Sequence, residues 1–167
     1  SLAAVNEIPL WQISHQENHL EAGLWSAQGP DADRFLLLHA SGGTTDLLLA
    51  EKQTDSTYAL TQAGGSKDLH AGQFVDRVGV ALGLQFPAGA ALEQLAATAA
   101  DCIELPVAVR QGDVSLSGPA TAALRKIEAG ADPAALAAGV QYAMAETFVR
   151  MIRNVAAQKE IFDVLLV

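Results

Sequence analysis

Three of the four histidines cluster early in the sequence, and two of them have the spacing of metal ligands. His15 and His19 are four residues apart near the start of a predicted helix, which places both imidazoles on one helix face. Two such nitrogens bind a divalent metal when a third ligand comes from elsewhere. A solvated histidine pair is the alternative. His39 lies in an apolar stretch, where a histidine is usually a hydrogen-bonded core residue, although its closeness to the other two favours a shared role.

Glu17 lies between the two histidines, but its position differs from that of the general base in zinc proteases. In those enzymes the glutamate directly follows the first histidine of a His-Glu-x-x-His helix. Because an α-helix turns by about 100° per residue, Glu17 projects away from the face that His15 and His19 share. The pattern therefore disfavours a protease.

A glycine-rich segment, Ser41-Gly42-Gly43-Thr44-Thr45, joins two apolar stretches. Glycines let the backbone approach an anion closely, and the hydroxyls add hydrogen-bond donors. The segment is a candidate phosphate-binding hairpin, and an ordinary glycine-rich hairpin is the alternative.

These residues must be positioned by a mixture of strands and helices. Strands are predicted over 8–13, 34–40, 46–51, 58–62, 114–116 and from about 161. Helices are predicted over 15–27, 71–84, 91–100, 119–129 and 133–159, with Ser14 and Asp132 as caps. An antiparallel meander followed by helices and a further strand predicts a mixed α/β layer architecture.

Composition narrows the classes of function. The net charge is −9 and the ten basic residues are scattered, which disfavours binding of nucleic acid by this chain alone. The single cysteine, Cys102, is expected in the core and fits a reducing compartment. No apolar run reaches the length of a membrane span, so we expect a cytoplasmic protein without a membrane partner. The chain opens without Met and closes on an apolar stretch, and we expect a piece of a longer protein.

The order of these motifs resembles that of the tRNA threonylcarbamoyladenosine transferase family, long described as glycoproteases or O-sialoglycoprotein endopeptidases. The family's successive motifs have counterparts, in order, at 15–19, 41–43, 64–68, 74–77, 82–84, 86–89 and 114–118. The apolar residues at 163–167 match the strand before the family's second nucleotide loop. The resemblance covers nearly the whole chain.

This resemblance implies an actin-like ATPase fold of the sugar kinase and Hsp70 type. The fold would be partial, with residues 1–167 forming a mixed sheet flanked by helices, and without the family's first phosphate loop and C-terminal nucleotide loop. It implies iron or zinc on His15 and His19, with His39 as a hypothetical third nitrogen ligand. It also implies ATP or threonylcarbamoyl-adenylate, and magnesium with the nucleotide as a further option. The residues implied in nucleotide binding are Ser41, Gly42, Gly43 and Thr44 for the phosphates and Asp76 and Gly89 for the nucleoside.

Several positions depart from the family pattern. Thr44 replaces the usual His or Asn, Gln73 replaces Glu, and Ala88 replaces the first glycine of a turn. These departures indicate a diverged paralogue. One hypothesis is the metal- and nucleotide-binding portion of a threonylcarbamoyl transferase, inactive by itself and contacting tRNA only indirectly or in the full-length complex. The alternative is a non-catalytic protein-interaction or assembly module that works with a paralogous partner or as a homodimer.

Overall fold

The structure is a computed structural model that describes residues 5–10 and 13–167. Its strands are β1 (Arg34–Ala40), β2 (Thr45–Lys52), β3 (Tyr58–Ser66), β4 (Ala108–Arg110), β5 (Asp113–Ser115) and β6 (Val164–Leu166). Its helices are α1 (His15–Ala27), α2 (Ala71–Ala81), α3 (Gly89–Ala96), α4 (Ser117–Glu128) and α5 (Pro133–Lys159). The predicted mixed α/β class is confirmed.

All six strands form one mixed sheet in the order β4-β5-β3-β2-β1-β6. The strands β1, β2 and β3 make an antiparallel meander. Two parallel pairings extend it, β6 beside β1 and β5 beside β3, and β4 closes the other edge antiparallel to β5. The meander follows from short turns between apolar runs, whereas both parallel pairings require long crossovers through helices.

The centre of the sheet is buried on both faces, which explains the unbroken apolar runs of β1 and β2. On one face Leu36 and Leu38 pack in a cluster with Met151 of α5. On the other face Phe35 and Leu37 pack in a cluster with Leu20 of α1. The side chains of β1 therefore alternate between a layer formed by α5 and a layer formed by α1.

A second core lies among the four later helices. It is built around buried side chains from each of them, including Phe74, Leu92, Ala123 and Leu136. The longest helix, α5, begins at a proline preceded by Asp132, whose carboxylate accepts a hydrogen bond from the Ala135 N–H at 2.8 Å. This helix packs against the sheet and against the other helices. It therefore joins the cluster on its own face of the sheet to the core among the helices.

Some predicted elements are wrong. The strand predicted over 8–13 does not form, because residues 8–10 and 13 are irregular and exposed, while residues 11 and 12 lie outside the described part. The helix predicted to reach residue 84 ends at Ala81, and Gly83 follows with a φ of +85°. Cys102 is exposed rather than in the core. Within residues 5–10 and 13–167, none of the helices combines the length and the hydropathy that a membrane span requires.

Candidate metal and nucleotide site

The first turn of α1 holds His15 in place through a reciprocal cap. The Glu17 N–H donates to Ser14 Oγ at 3.1 Å, and the Ser14 N–H donates to a Glu17 carboxylate oxygen at 2.5 Å. The hydrogen bonds from the Ser14 backbone and hydroxyl lower the pKa of Glu17. Glu17 therefore serves the helix terminus, and His15 and His19 follow one another on a different face.

His39 comes to this pair from the sheet. It is the third of the clustered histidines and is only 2% exposed near the end of β1. The ring centroids of His15 and His19 are 4.4 Å apart, and those of His19 and His39 are also 4.4 Å apart. One nitrogen from each of the three rings lies within 4.8 Å of the other two. The structure thus brings all three predicted metal residues together.

The geometry of the three rings suits a metal ion. The Nε2 atoms of His15 and His19 are 3.1 Å apart. Two nitrogens that each lie about 2.0–2.1 Å from one tetrahedral zinc are separated by about 3.3 Å. The His39 ring receives and donates no hydrogen bond among the described residues, and its Nδ1 is buried, so neither ring nitrogen is taken by another protein group.

The electrostatic surroundings favour the ligating form of His39. Burial lowers its pKa most, His19 and His15 lower it further, and only Asp46 acts in the opposite direction. A lowered pKa keeps the imidazole neutral, and a neutral imidazole is the form that binds a metal.

The predicted phosphate hairpin lies two residues beyond His39. Within it the Ser41 N–H donates to the Thr44 carbonyl at 2.8 Å, and the Gly43 N–H donates to Ser41 Oγ at 3.3 Å. Apart from the adjoining residues, no atom of the described part of the chain lies within 4 Å of the positions that Cβ atoms at Gly42 and Gly43 would occupy. The tip of the hairpin is therefore open to a ligand.

The amino end of α2 packs against this hairpin. The Gly72 N–H donates to the Ser41 carbonyl at 3.1 Å, and the Ala71 N–H donates to Thr45 Oγ1 at 2.7 Å. Thr45 is fully buried, and no local sequence pattern indicated that its hydroxyl would link the hairpin to the helix. A helix amino terminus favours negative charge, so the helix and the hairpin together suit a phosphate.

Asp76 of α2 and Gly89 at the start of α3 form a second group. Asp76 accepts a hydrogen bond from the Ala88 N–H at 2.7 Å, which holds the carboxylate next to Gly89 at the start of α3. Asp76 is one turn beyond Gly72 and shares its helix face, at a rise of about 6 Å along the axis. The structure thus places Asp76 on the helix that contacts the hairpin and Gly89 at the start of the next helix, and neither residue lies in the hairpin itself.

Asp68 ends the motif at 64–68, but the sequence analysis assigned it no role. It accepts hydrogen bonds from the Leu116 N–H at 2.8 Å, the Ser115 hydroxyl at 2.6 Å and the Ser117 hydroxyl. Partial burial raises the pKa of Asp68, but the hydrogen bonds outweigh it and hold the pKa well below its usual range. The carboxylate ties the segment before α2 to the first turn of α4.

This chain is a mixed α/β protein with three imidazoles beside an open glycine hairpin, and sequence comparison places it in a family. The profile of the family "TsaD: tRNA N6-adenosine threonylcarbamoyltransferase" matches residues 1–167. The chain therefore belongs to the TsaD family, as its motifs indicated.

Individual relatives show the same similarity. A tRNA N6-adenosine threonylcarbamoyltransferase from Methanopyrus kandleri is 34% identical over 99% of this chain, and one from Thermus thermophilus is 41% identical over 81% of it. A probable bifunctional tRNA threonylcarbamoyladenosine biosynthesis protein from Methanothermobacter thermautotrophicus is 32% identical over 99%. The chain spans 47%, 41% and 30% of the lengths of these three relatives, respectively.

Proposed function

We propose that this chain is the metal- and nucleotide-binding portion of a tRNA threonylcarbamoyladenosine transferase-like protein with an actin-like ATPase fold. The observation that carries the proposal is the convergence of His15, His19 and His39 within 4.8 Å, beside the Ser41–Thr44 hairpin. Family membership supports the reaction class, an acyl transfer of the threonylcarbamoyl group. The proposed compartment is the cytoplasm.

In this proposal the three imidazoles hold iron or zinc. A bound divalent metal would polarise a phosphoryl or carbonyl oxygen of the ligand. The hairpin residues Ser41 to Thr44 and the amino terminus of α2 would receive the phosphates of ATP or threonylcarbamoyl-adenylate, with or without magnesium. Asp76 and the adjoining Gly89 would hold the nucleoside. Nitrogen donors suit zinc or iron better than magnesium, which prefers oxygen ligands.

The relatives contain segments that have no counterpart in this chain, since it spans at most 47% of the three described above. We propose that a first phosphate loop and a C-terminal nucleotide loop of the fold lie in such segments. The 167 residues alone are then expected to bind metal but not to transfer threonylcarbamoyl to tRNA. Transfer by the isolated chain would contradict this division of the fold.

Metal content tests the proposal directly. The purified chain is loaded with Zn²⁺ or Fe²⁺, desalted and measured by elemental mass spectrometry, beside H15A/H19A and H39L variants. We expect about one metal ion per chain, and its loss in both variants. His70, the fourth histidine, lies outside the cluster, so H70A is the matched control and should keep the metal. Metal that is retained in H15A/H19A, or absent from the wild-type chain, would overturn the metal part of the proposal.

The departures at Thr44, Gln73 and Ala88 support a second candidate, a non-catalytic paralogue that acts as an assembly module with a paralogous partner or as a homodimer. Binding of an ATP analogue by the full-length protein separates the two candidates. Saturable binding that S41A or D76A weakens supports the nucleotide-binding protein. Absence of binding, together with a stable complex with a paralogous partner, supports the assembly module.

A further inference from the structure

A metal ion at the histidine cluster would bring positive charge into a partly buried place. Three neutral imidazoles do not offset the two charges of a divalent ion, and His39 is only 2% exposed. Charge that is removed from water is tolerated when an opposite charge lies close to it. The proposed metal site therefore calls for a nearby carboxylate.

Glu17 is close to the histidines in sequence, but its carboxylate already takes part in the cap of α1. Its carboxylate accepts the Ser14 N–H, and its own N–H donates to the Ser14 hydroxyl, so it completes the cap of α1. Removing it from this cap would leave the Ser14 N–H without the partner that the capping box supplies. The carboxylate that the site requires must come from another element.

Asp46 is placed to supply it. In the antiparallel pair of β1 and β2, His39 and Asp46 are direct partners. Side chains of direct partners leave the same face of a sheet, with Cβ atoms about 4.5–5.5 Å apart.

The surroundings of Asp46 hold its carboxylate on this face. The side chain of Gln62, on the neighbouring strand β3, donates to Asp46 Oδ1 at 3.4 Å. Gly65 is the direct partner of Asp46 on β3, and a Cβ there would lie 2.9 Å from Asp46 Oδ1. A glycine at this position leaves room for the carboxylate, and Asp46 Oδ2 receives no hydrogen bond from the described residues.

We propose that Asp46 is a positioning residue of the metal centre. Its carboxylate accepts a hydrogen bond from the ring N–H of His39 that faces away from the metal, and it supplies a compensating negative charge. This inference rests on the proposed metal-binding function. Metal-bound histidines usually donate their second ring N–H to a carboxylate, a carbonyl or water, which fixes the ring orientation and strengthens the ligand. No hydrogen bond joins the two groups in this structure, but the buried His39 Nδ1 and Asp46 Oδ2 both lack a partner among the described residues and are therefore available to each other.

Zinc affinity measures this role without any enzymatic reaction. Competition between the apo-protein and a chromophoric chelator gives the Zn²⁺ dissociation constant for the wild-type chain and for D46N, D46A and D46E. Loss of such an outer carboxylate typically weakens metal binding by about 10–100-fold, and we expect this for D46N and D46A. D46E keeps the charge and should recover most of the affinity.

The matched control is D33N, which removes the same charge at the other end of β1, about 20 Å from His39 at ~3.3 Å per residue. Asp33 has an 89% exposed side chain, and D33N should bind Zn²⁺ like the wild-type chain. A purely structural role of Asp46 would lower the urea midpoint of the apo-protein and leave the visible spectrum of the Co²⁺ form unchanged. The proposal predicts the opposite, a changed Co²⁺ spectrum in D46N with a similar urea midpoint.

The possible failures are distinguishable. If D46N and D46A bind Zn²⁺ as tightly as the wild-type chain, the role of Asp46 is overturned while the three-histidine site stands. If the wild-type chain binds no Zn²⁺ or Co²⁺, both this inference and the metal part of the proposed function are overturned. If D46N does not fold, the D46E variant decides whether Asp46 has this role. A Zn²⁺ affinity and a Co²⁺ spectrum of D46E like those of the wild-type chain support the role, and a Zn²⁺ affinity as low as that of D46A overturns it.

Discussion

Gly72 lies where α2 meets the glycine hairpin, and its replacement by alanine should separate the two. A Cβ at this position would be 2.6 Å from Gly42 Cα and 2.9 Å from the Gly42 nitrogen. Carbon atoms in contact prefer about 3.5–4.0 Å, so the hairpin must move by about 1 Å. The obstructing atoms are backbone, which cannot rotate away as a side chain would. The movement also stretches the 3.1 Å hydrogen bond from the Gly72 N–H to the Ser41 carbonyl.

The cost follows from these contacts. The lost hydrogen bond is worth about 1 kcal/mol, and overpacking of this kind adds about 1–3 kcal/mol. Alanine is the better helix former, and this offsets up to about 1 kcal/mol. The net loss in the free energy of unfolding is then about 2 kcal/mol. For a protein of this size, about 2–4 °C per kcal/mol corresponds to a Tm lower by about 4–8 °C.

Urea denaturation followed by circular dichroism measures this loss, and amide hydrogen exchange locates it. In G72A the amides around Ser41 and Thr45 should exchange faster than in the wild-type chain. The matched control is G43A, in the same hairpin, where the added methyl group has no described atom within 4 Å other than those of the adjoining residues. A G72A protein that unfolds at the same urea concentration as G43A would refute the reasoning, since the close approach would then impose no strain.

Two further predictions concern the capped helices. The pKa of Asp68 is lower in the folded state, so its stabilising effect is present above the ordinary Asp range and is lost as the pH falls below about 4. Between about pH 5 and 2, the urea midpoint should therefore fall more steeply for the wild-type chain than for D68N. Parallel curves for the two proteins would contradict this. Removing the cap in S14A should cost about 1 kcal/mol and weaken Zn²⁺ binding, because His15 lies in the first turn of α1. S26A, at the other end of α1, should leave both quantities unchanged, and an equal effect of S14A and S26A would contradict a role of the cap.

The parts of the fold that the sequence predicts are those with local signals. The start of α1 was predicted because Ser14 is a favoured N-cap residue, and the structure shows that Ser14 also forms a capping box with Glu17. The strands β1 and β2 were predicted from their apolar runs. The strand β4 was missed because three residues, Ala108–Arg110, carry no usable periodicity. The apolar residues at 8–13 misled the prediction, because a run of apolar residues becomes a strand only when a neighbouring strand pairs with it.

The site was less predictable than the fold because its parts come from distant elements. The spacing of His15 and His19 predicted a shared helix face, but only the packing of Leu20 against Phe35 and Leu37 brings that helix to β1. Nothing local to His39 shows that it will meet the other two. Asp68 and its partners at 115–117 are far apart in sequence, and the hydrogen bonds between them exist only once β5 lies beside β3. Whether the residues that were brought together bind ligands stays a prediction.

The strand β6 gives the histidine cluster a particular place in the order of assembly. The Val167 N–H donates to the Leu38 carbonyl, and the Val167 carbonyl accepts from the Ala40 N–H, each at 3.0 Å. Val167 is therefore hydrogen-bonded to the backbone on both sides of His39. Gly23 of α1 also lies against the side chains of Val167 and Leu165. During synthesis on the ribosome the three histidines emerge early, yet the residues that fix His39 and support α1 emerge more than a hundred residues later. The chain would therefore bind metal tightly only after β6 has paired with β1. In a nascent or misfolded chain the three imidazoles would stay apart, and metal would bind only weakly.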